Sequence, residues 1–557
     1  MKLRLALTIA LLLVVLTACA AQNEAPEGTG PDGEAETPTA TDPTMTPALF
    51  PLAASCSSCH DGIQAADGTM YGYVQDWEQG AHAHSATDPL FQAVARSETI
   101  DHAADGDAIQ GVCASCHLPM ADLMAQSLGL SQTFLDDAVQ PSSDLHDLYA
   151  DGDSCMICHQ LSEADTPGNV SFLGSYLSIN LDTPQAGQLR TLTTYRGISD
   201  DGKSLMQRFL GYDSVPDQAI RNGTVCEPCH TLYTNSYTVE GEPTGKQLPE
   251  QVTYLEWANI SSSTYNSQPC FFCHMPMVTN SGLRSNREVT DAIRGSINQH
   301  TFLGSNSYLM RLKNDLDGTF DRGVEINEAS LQKDTATIAA NGKIELNDDG
   351  SEVMSLDVRV ISKVGHKFPT GFPSRRAWLH VTVKDAAGNV VYESGAYDGA
   401  GMIVDNDGDL QKGQFEPHYN VIDQVGQVQI YESVMMDSNG NATTRLLQGV
   451  SYAKDNRLLP TGYNMEGAPE DCAVIGVPAD DIDFRSGSDT VHYRIGLPAG
   501  LENVTVEVEL LYQTVGYRFL ESLKDYPGAE QDTLAALVGQ NPNLPVVVTT
   551  REAMLTR

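Results

Sequence analysis

Cysteine and histidine recur in this chain at one spacing. Cys-x-x-Cys-His occurs five times, as Cys56–Cys59–His60, Cys113–Cys116–His117, Cys155–Cys158–His159, Cys226–Cys229–His230 and Cys270–Cys273–His274. That spacing suits covalent attachment of a c-type haem. Two thiols three positions apart can each form a thioether to one vinyl group of a porphyrin, and the adjacent imidazole then meets the ring face and ligates the iron. A zinc site would use two such cysteine pairs per metal with no need for a histidine after each, and a dithiol enzyme would need one motif. The motifs therefore point to five covalent haem c groups. They use ten of the twelve cysteines, leaving Cys19 and Cys472. Cys472, in Glu-Asp-Cys-Ala-Val-Ile, reads as a small buried residue at the start of a strand.

A sixth iron ligand decides what such a site can do: a second histidine closes the iron to all but electron transfer, whereas an open position can bind a small molecule. Nine histidines lie outside the motifs, enough for five distal ligands. The elements that must position these groups fall into two kinds. Residues 49–311 offer about fifty residues per haem, too few for an ordinary apolar core, so porphyrins would fill it between short motif-bearing helices and long loops. Gly245–Ile260 reads as a loop leading into a helix. From about Leu346 the pattern becomes period-two alternation, as in Met354–Ser362, Trp378–Lys384 and Val504–Leu510, with turn signals at Asp385–Asn389 and Asp437–Asn441. The expected fold class is α+β: a haem-packed, mainly helical and loop domain over 49–311, a linker over 312–345, an antiparallel β-sandwich over 346–520 and a helical tail over 521–557. Asp405, Asp407, Asp409 and Glu416 echo a calcium loop, but Leu410 stands where the loop needs glycine, so an acidic hairpin is preferred to calcium.

Several segments resemble multihaem cytochromes related to the tetrahaem electron carriers of nitrifying bacteria. Trp77-Glu-Gln-Gly-Ala-His82-Ala is similar to their Trp-x-x-Ser-x-His-Ala motif, with Gly80 in place of serine. The likeness continues through Asp88-Pro-Leu-Phe, the Leu-Pro-Met and Met-Pro-Met extensions after His117 and His274, Pro249 to Trp257, and Asn298-Gln-His-Thr-Phe-Leu-Gly. Gly365-His-Lys-Phe-Pro-Thr-Gly looks like a segment of the larger members. The resemblance implies His82 and His300 as distal ligands, and His366 as a distal ligand supplied by the second half. His146, nine residues before the third motif, and His418, in Glu416-Pro-His418-Tyr, complete the set; His84 and His102 are weaker candidates, and His380 and His492 read as structural.

Lys2 and Arg4 precede an apolar run from Leu5 to Leu16, too short to span a bilayer and patterned as a secretory signal over 1–18. It closes on Leu16-Thr17-Ala18-Cys19, which resembles a lipoprotein box with Cys19 as the lipidated residue. Residues 19–48 are acidic and rich in Pro, Thr and Gly, a flexible tether. The expectation is an exported protein, lipid-anchored on the periplasmic or cell-surface side. A formal charge of −40 excludes nucleic acid as a partner and suits basic redox proteins. The expected function is electron transfer along five haems between a membrane or periplasmic donor and a periplasmic or extracellular acceptor, rather than catalysis. The alternatives are an oxidoreductase with one open haem acting on a small nitrogen or sulfur compound, and a subunit of a cytochrome filament or surface conduit.

Overall fold

A computed structural model describes residues 48–557 except 66–67, 131–132, 164–168, 184, 196–199, 262–267, 279–284, 287–295 and 319. The signal segment, Cys19 and the tether up to residue 47 lie outside the described residues. All described residues belong to one compact unit, Asp42–Arg557.

The first half is built from short helices: α1 (Ala54–His60), α2 (Pro89–Asp101), α3 (Gly106–His117), α4 (Cys155–Gln160), α5 (Thr253–Ala258), α6 (Cys270–His274), α7 (Ser307–Asp317) and α8 (Asp321–Asp334). Helix α2 has a clear start signal. The Asp88 carboxylate accepts from Leu90 N and Phe91 N at 2.7 and 3.0 Å, and Pro89 occupies the first turn, where its missing N–H costs nothing. A hairpin of β1 (Leu232–Tyr237) and β2 (Pro243–Gln251) precedes α5, so the stretch from Gly245 is strand where a loop was expected. Apolar side chains here gather into several small clusters around one large cavity, not into a single core.

The second half holds two sheets. β3 (Ala336–Leu346), β4 (Glu352–Ser362), β11 (Ser488–Leu497) and β7 (Val421–Ile422) run in the order β3-β4-β11-β7, the last pair parallel. The other sheet has β5 (Arg376–Lys384) between β8 (Ile430–Met436) and β12 (Asn503–Gln513). β6 (Val390–Ser394) lies beside β5, and β9 (Ala442–Thr443) and β10 (Ser451–Asp455) lie beside β8. β13 (Val546–Thr556) is at the far edge. Alternation along β4 sends Met354, Leu356, Val358 and Val360 inward, where they meet Leu379, Val381 and Val383 of β5 and Val506, Val508 and Leu510 of β12 in one fully buried cluster. The Asp385–Asn389 and Asp437–Asn441 segments are tight turns, each closed by an N–H to C=O bond of 2.9 Å.

Two boundaries differ from the sequence reading. Residues 312–345 are not a linker: they hold the end of α7, all of α8 and most of β3. The tail is helical only in part. After α9 (Tyr517–Leu523) and α10 (Ala529–Gln540), β13 returns to pair with β12 along its length. β3 and β13 are edge strands with long exposed stretches, so neither carries a clean two-residue alternation.

Candidate cofactor cavity

The five motifs converge. One cavity of about 2240 Å³ is lined by nine of the ten motif cysteines (all but Cys59), by the five motif histidines, and by His82, His300 and His366. Its volume exceeds the several hundred Å³ usual for a small-molecule pocket. Four motifs lie at helix ends: α1, α3 and α6 close on their motif histidine, and α4 runs one residue past His159 to Gln160. Helical spacing puts the two cysteines at i and i+3 and the histidine at i+4 on one face, so thiols and imidazole approach the cavity together. The fourth motif begins in a 3₁₀ turn, Thr224–Cys226, and the His230 N–H returns to Cys226 O at 3.1 Å.

The histidines are oriented by backbone carbonyls. Nδ1 of His117 meets Ser85 O at 3.1 Å, that of His159 meets Thr193 O at 2.7 Å, and that of His274 meets Leu303 O. Outside the motifs, Nδ1 of His300 meets Asn298 O at 3.2 Å and that of His366 meets Lys367 O at 2.8 Å. A carbonyl can only accept, so each Nδ1 carries the proton and Nε2 keeps its lone pair, the tautomer a metal ligand needs. Burial favours the neutral ring: it lowers His82 and His117 to about 4, and His230 and His300 to about 3, with nearby imidazoles adding to burial at His82, His230 and His300. His159 and His366 are lowered from the same first cause.

Three motif rings face a second imidazole. His82 and His230 have ring centroids 6.3 Å apart, His159 and His300 6.4 Å, and His274 and His366 6.1 Å. Two imidazoles on opposite sides of one iron, each bonded at about 2 Å with its centroid about 1 Å beyond the nitrogen, would sit about 6 Å apart. The residues therefore fit a bis-histidine iron at the third, fourth and fifth motifs. The planes are nearly parallel for two pairs, at 16° and 18°, and perpendicular for His82 and His230, at 89°. Among the described residues no second imidazole is paired with His117 at this spacing. His60 has the Tyr73 ring at 5.9 Å, and Phe91 stacks flat on His117 at 3.7 Å.

Contacts between thiols mark which attachment edges adjoin. Cys56 of the first motif lies within hydrogen-bonding reach of Cys155 of the third, Cys116 of the second of Cys229 of the fourth, and Cys226 of the fourth of Cys270 of the fifth. Cys158 of the third motif acts electrostatically on both thiols of the fourth. The fourth motif thus adjoins the second and the fifth and lies near the third, which itself adjoins the first.

The structure sets the remaining expected ligands elsewhere. His146 begins a short helix outside the cavity, its ring beside Tyr149. His418 is fully enclosed in the β half. Its Nε2 bonds Asp481 Oδ2 at 2.9 Å, and its Nδ1 accepts from Gln429 Nε2 and Asn456 Nδ2 at 2.9 and 3.0 Å. Both nitrogens are engaged by protein groups, so the ring has no lone pair to offer a haem. His84 and His102 also lie outside the cavity lining. His380 and His492 bridge carboxylates on strand surfaces. The acidic loop spends its carboxylates on protein: Arg376 grips Asp409 with two 2.8 Å bonds, Asn406 caps a turn, and Glu416 accepts from Asp407 N and Tyr419 Oη. That takes Asp409 and Glu416 out of the calcium reading's ligand set.

His366 reaches the cavity because its loop is pinned from behind. Lys367, fully buried, pairs with Asp455 at 2.7 Å, and Arg457 pairs with Asp455 and with Glu256 of α5 at 2.8 Å. Glu256 Oε2 also accepts from Thr370 Oγ1 and Lys367 N at 2.6 and 3.2 Å. This network was not legible locally, because its members are separated by some two hundred positions.

No protein-family profile matches the chain, and no curated protein does. Among solved structures the chain is similar to the penta-haem cytochrome c552 from Thermochromatium tepidum, at 15 % identity over 91 % of this chain and 100 % of that one, with a TM-score of 0.47.

Proposed function

We propose that the chain is a penta-haem electron-transfer protein, exported and lipid-anchored through Cys19. The observation that carries the reading is the convergence of all five Cys-x-x-Cys-His motifs on one cavity, with a second imidazole at iron-spanning distance from three of them. Cys56, Cys59, Cys113, Cys116, Cys155, Cys158, Cys226, Cys229, Cys270 and Cys273 would hold the porphyrins. His60, His117, His159, His230 and His274 would be the proximal ligands, and His82, His300 and His366 distal ligands to the fourth, third and fifth haems. When bound, haem supplies reversible one-electron chemistry at iron, its potential set by axial ligands and surroundings. The protein's own work is positional. Backbone carbonyls fix each imidazole, burial keeps the rings neutral, and the thiol contacts hold attachment edges close enough for transfer between neighbours without moving parts. The adjacency of motifs supports a branched path, first to third to fourth, with the second and fifth as ends.

A second reading is favoured by one observation: among the described residues the ring stacked on His117 is that of Phe91, not a second imidazole. The iron of the second motif would then be open to a small molecule, and a reductase or oxidase activity would sit on the same wire. Spectra of the purified oxidised protein, then carbon monoxide addition after reduction, separate the readings. Carbon monoxide binding at the second haem, beside low-spin signals from the third, fourth and fifth, is the result this second reading expects. Five low-spin centres with no carbon monoxide shift would leave a closed wire and end the catalytic reading. Fewer than five haems by mass would overturn the penta-haem assignment.

A further inference from the structure

Two buried carboxylates next to the second motif are unused by that reading. Glu98 of α2 and Glu250 of β2 both line the cavity, at 4 % and 7 % exposure, and both act electrostatically on Cys113. Glu98 accepts from Leu446 N at 2.8 Å and Leu447 N at 3.4 Å. Among the described residues no cation pairs with Glu250. A buried carboxylate without a counter-charge takes a proton instead of staying ionised. Burial, helped by the charge of Asp101 at Glu98 and by that of Glu98 at Glu250, pushes Glu98 up to about 7 and Glu250 up to about 8, the range where protons come and go at neutral pH. The charge of Glu98 acts on Glu250, so ionisation of the first makes the second hold its proton more tightly.

A path from the surface ends on this pair. His102, at the C-terminal end of α2, has its side chain only 1 % exposed, both ring nitrogens without a partner, and Nε2 3.8 Å from Glu98 Oε2. It stacks on Tyr237 at 4.1 Å, whose hydroxyl donates to Asp105 at 2.9 Å. The half-buried Asp101 and Asp105 act on His102 from the solvent side. The other groups facing the pair are Arg445, Asp101 and Tyr526 at Glu98, and Tyr452 at Glu250.

We propose that Glu98 and Glu250 form a proton-uptake site for the second haem, with His102 relaying the proton from Asp101 and Asp105. The proposal rests on the haem reading above. An external one-electron donor reduces the iron from ferric to ferrous, and one proton from solvent forms an O–H bond on a Glu98 or Glu250 oxygen. The net charge of the cavity is then unchanged, which is why low dielectric couples the two events.

The test is spectroelectrochemical titration of the holoprotein above and below neutral pH, with an indicator dye counting protons taken up on electrochemical reduction. In the wild type one component should fall by about 59 mV per pH unit, the one-electron equivalent of a tenfold change in proton activity. The Glu98→Gln/Glu250→Gln double variant should lose that slope and one proton of uptake. Glutamine keeps an oxygen for Leu446 N, so folding is preserved, and each single variant should shift the slope to lower pH. His102→Gln should keep the slope but slow proton uptake after rapid reduction by about a hundredfold. A slope that survives in the double variant assigns the proton to the propionates and overturns the proposal. Five haems by mass with no pH-dependent component also overturns it and leaves electron transfer standing, whereas a chain with no haem on Cys113 and Cys116 overturns both.

Discussion

An imidazole whose Nδ1 is tied to a carbonyl has one chemical use left, its Nε2 lone pair, and that restricts what substitution can do. His300→Ala should open the third haem alone: a new high-spin signal and one more haem binding carbon monoxide, with the fourth and fifth unchanged. His418→Ala should leave the haem spectra untouched and lower the thermal midpoint, because Asp481, Gln429 and Asn456 lose a buried partner at a cost of about 1–3 kcal/mol. The ring planes give a further expectation. Perpendicular imidazoles at His82 and His230 place equal π-donation on both iron d-orbitals that point toward them, and nearly parallel ones at the other two pairs split those orbitals. The fourth haem should therefore show a large-g, axial electron paramagnetic resonance signal beside rhombic signals from the third and fifth. Glu250 sets a pH trend in stability. Its folded-state value of about 8, raised first by burial and then by Glu98, stands above an unfolded value of 4.5. Between those limits the unfolded chain binds fewer protons, so this carboxyl lowers stability as pH rises. Glu250→Gln should remove that loss in thermal unfolding measured across the window. His82, His300 and His366 were singled out by their own neighbours in sequence, and all three line the cavity. Which motif histidine each would face was not, because the facing residue is far away in the chain.

Among the elements, the clamp loop depends most on tertiary partners. Strand β10 supplies Asp455 just before Arg457, the 365–375 loop supplies Lys367, and α5 supplies Glu256, so the loop holding His366 is fixed by charges from three separate segments. Burial alone would raise the Asp455 carboxyl, but Arg457 and Lys367 outweigh it and hold it well below the usual carboxylate range. A depressed carboxyl stabilises the fold above its unfolded value and loses that contribution as pH falls toward its folded one. Asp455→Asn leaves Lys367 and Arg457 short of a counter-charge and should cost about 3–5 kcal/mol at neutral pH, with the difference from wild type shrinking in acid. A rise in stability on that substitution would mean the network is not what holds the loop. The strands with strict alternation, β4, β5 and β12, could be read directly. β3 and β13 could not: as edge strands they bury few side chains, and pairing with a neighbour, not local pattern, makes them strands.

For the whole molecule, charge and cavity are the governing features. With a net charge of −40, electron transfer to a small basic redox protein should slow by about tenfold or more as ionic strength rises, measured by stopped flow, while an uncharged mediator should show little dependence. Among the described residues no helix is long and apolar enough to cross a membrane. The sequence by itself determined the number of attachment motifs, the change from short helices to alternating strands and the acidic balance. Each of these depends on residues next to one another: thioether spacing, strand periodicity and charge are local properties. Only the tertiary structure decided which thiols adjoin, which imidazoles face each other, that His418 is enclosed by Asp481, Gln429 and Asn456, and that Glu98 and Glu250 both lie near Cys113. Those pairings join groups tens to hundreds of positions apart, and burial in a shared low-dielectric space, which no local pattern encodes, is what gives them their chemistry.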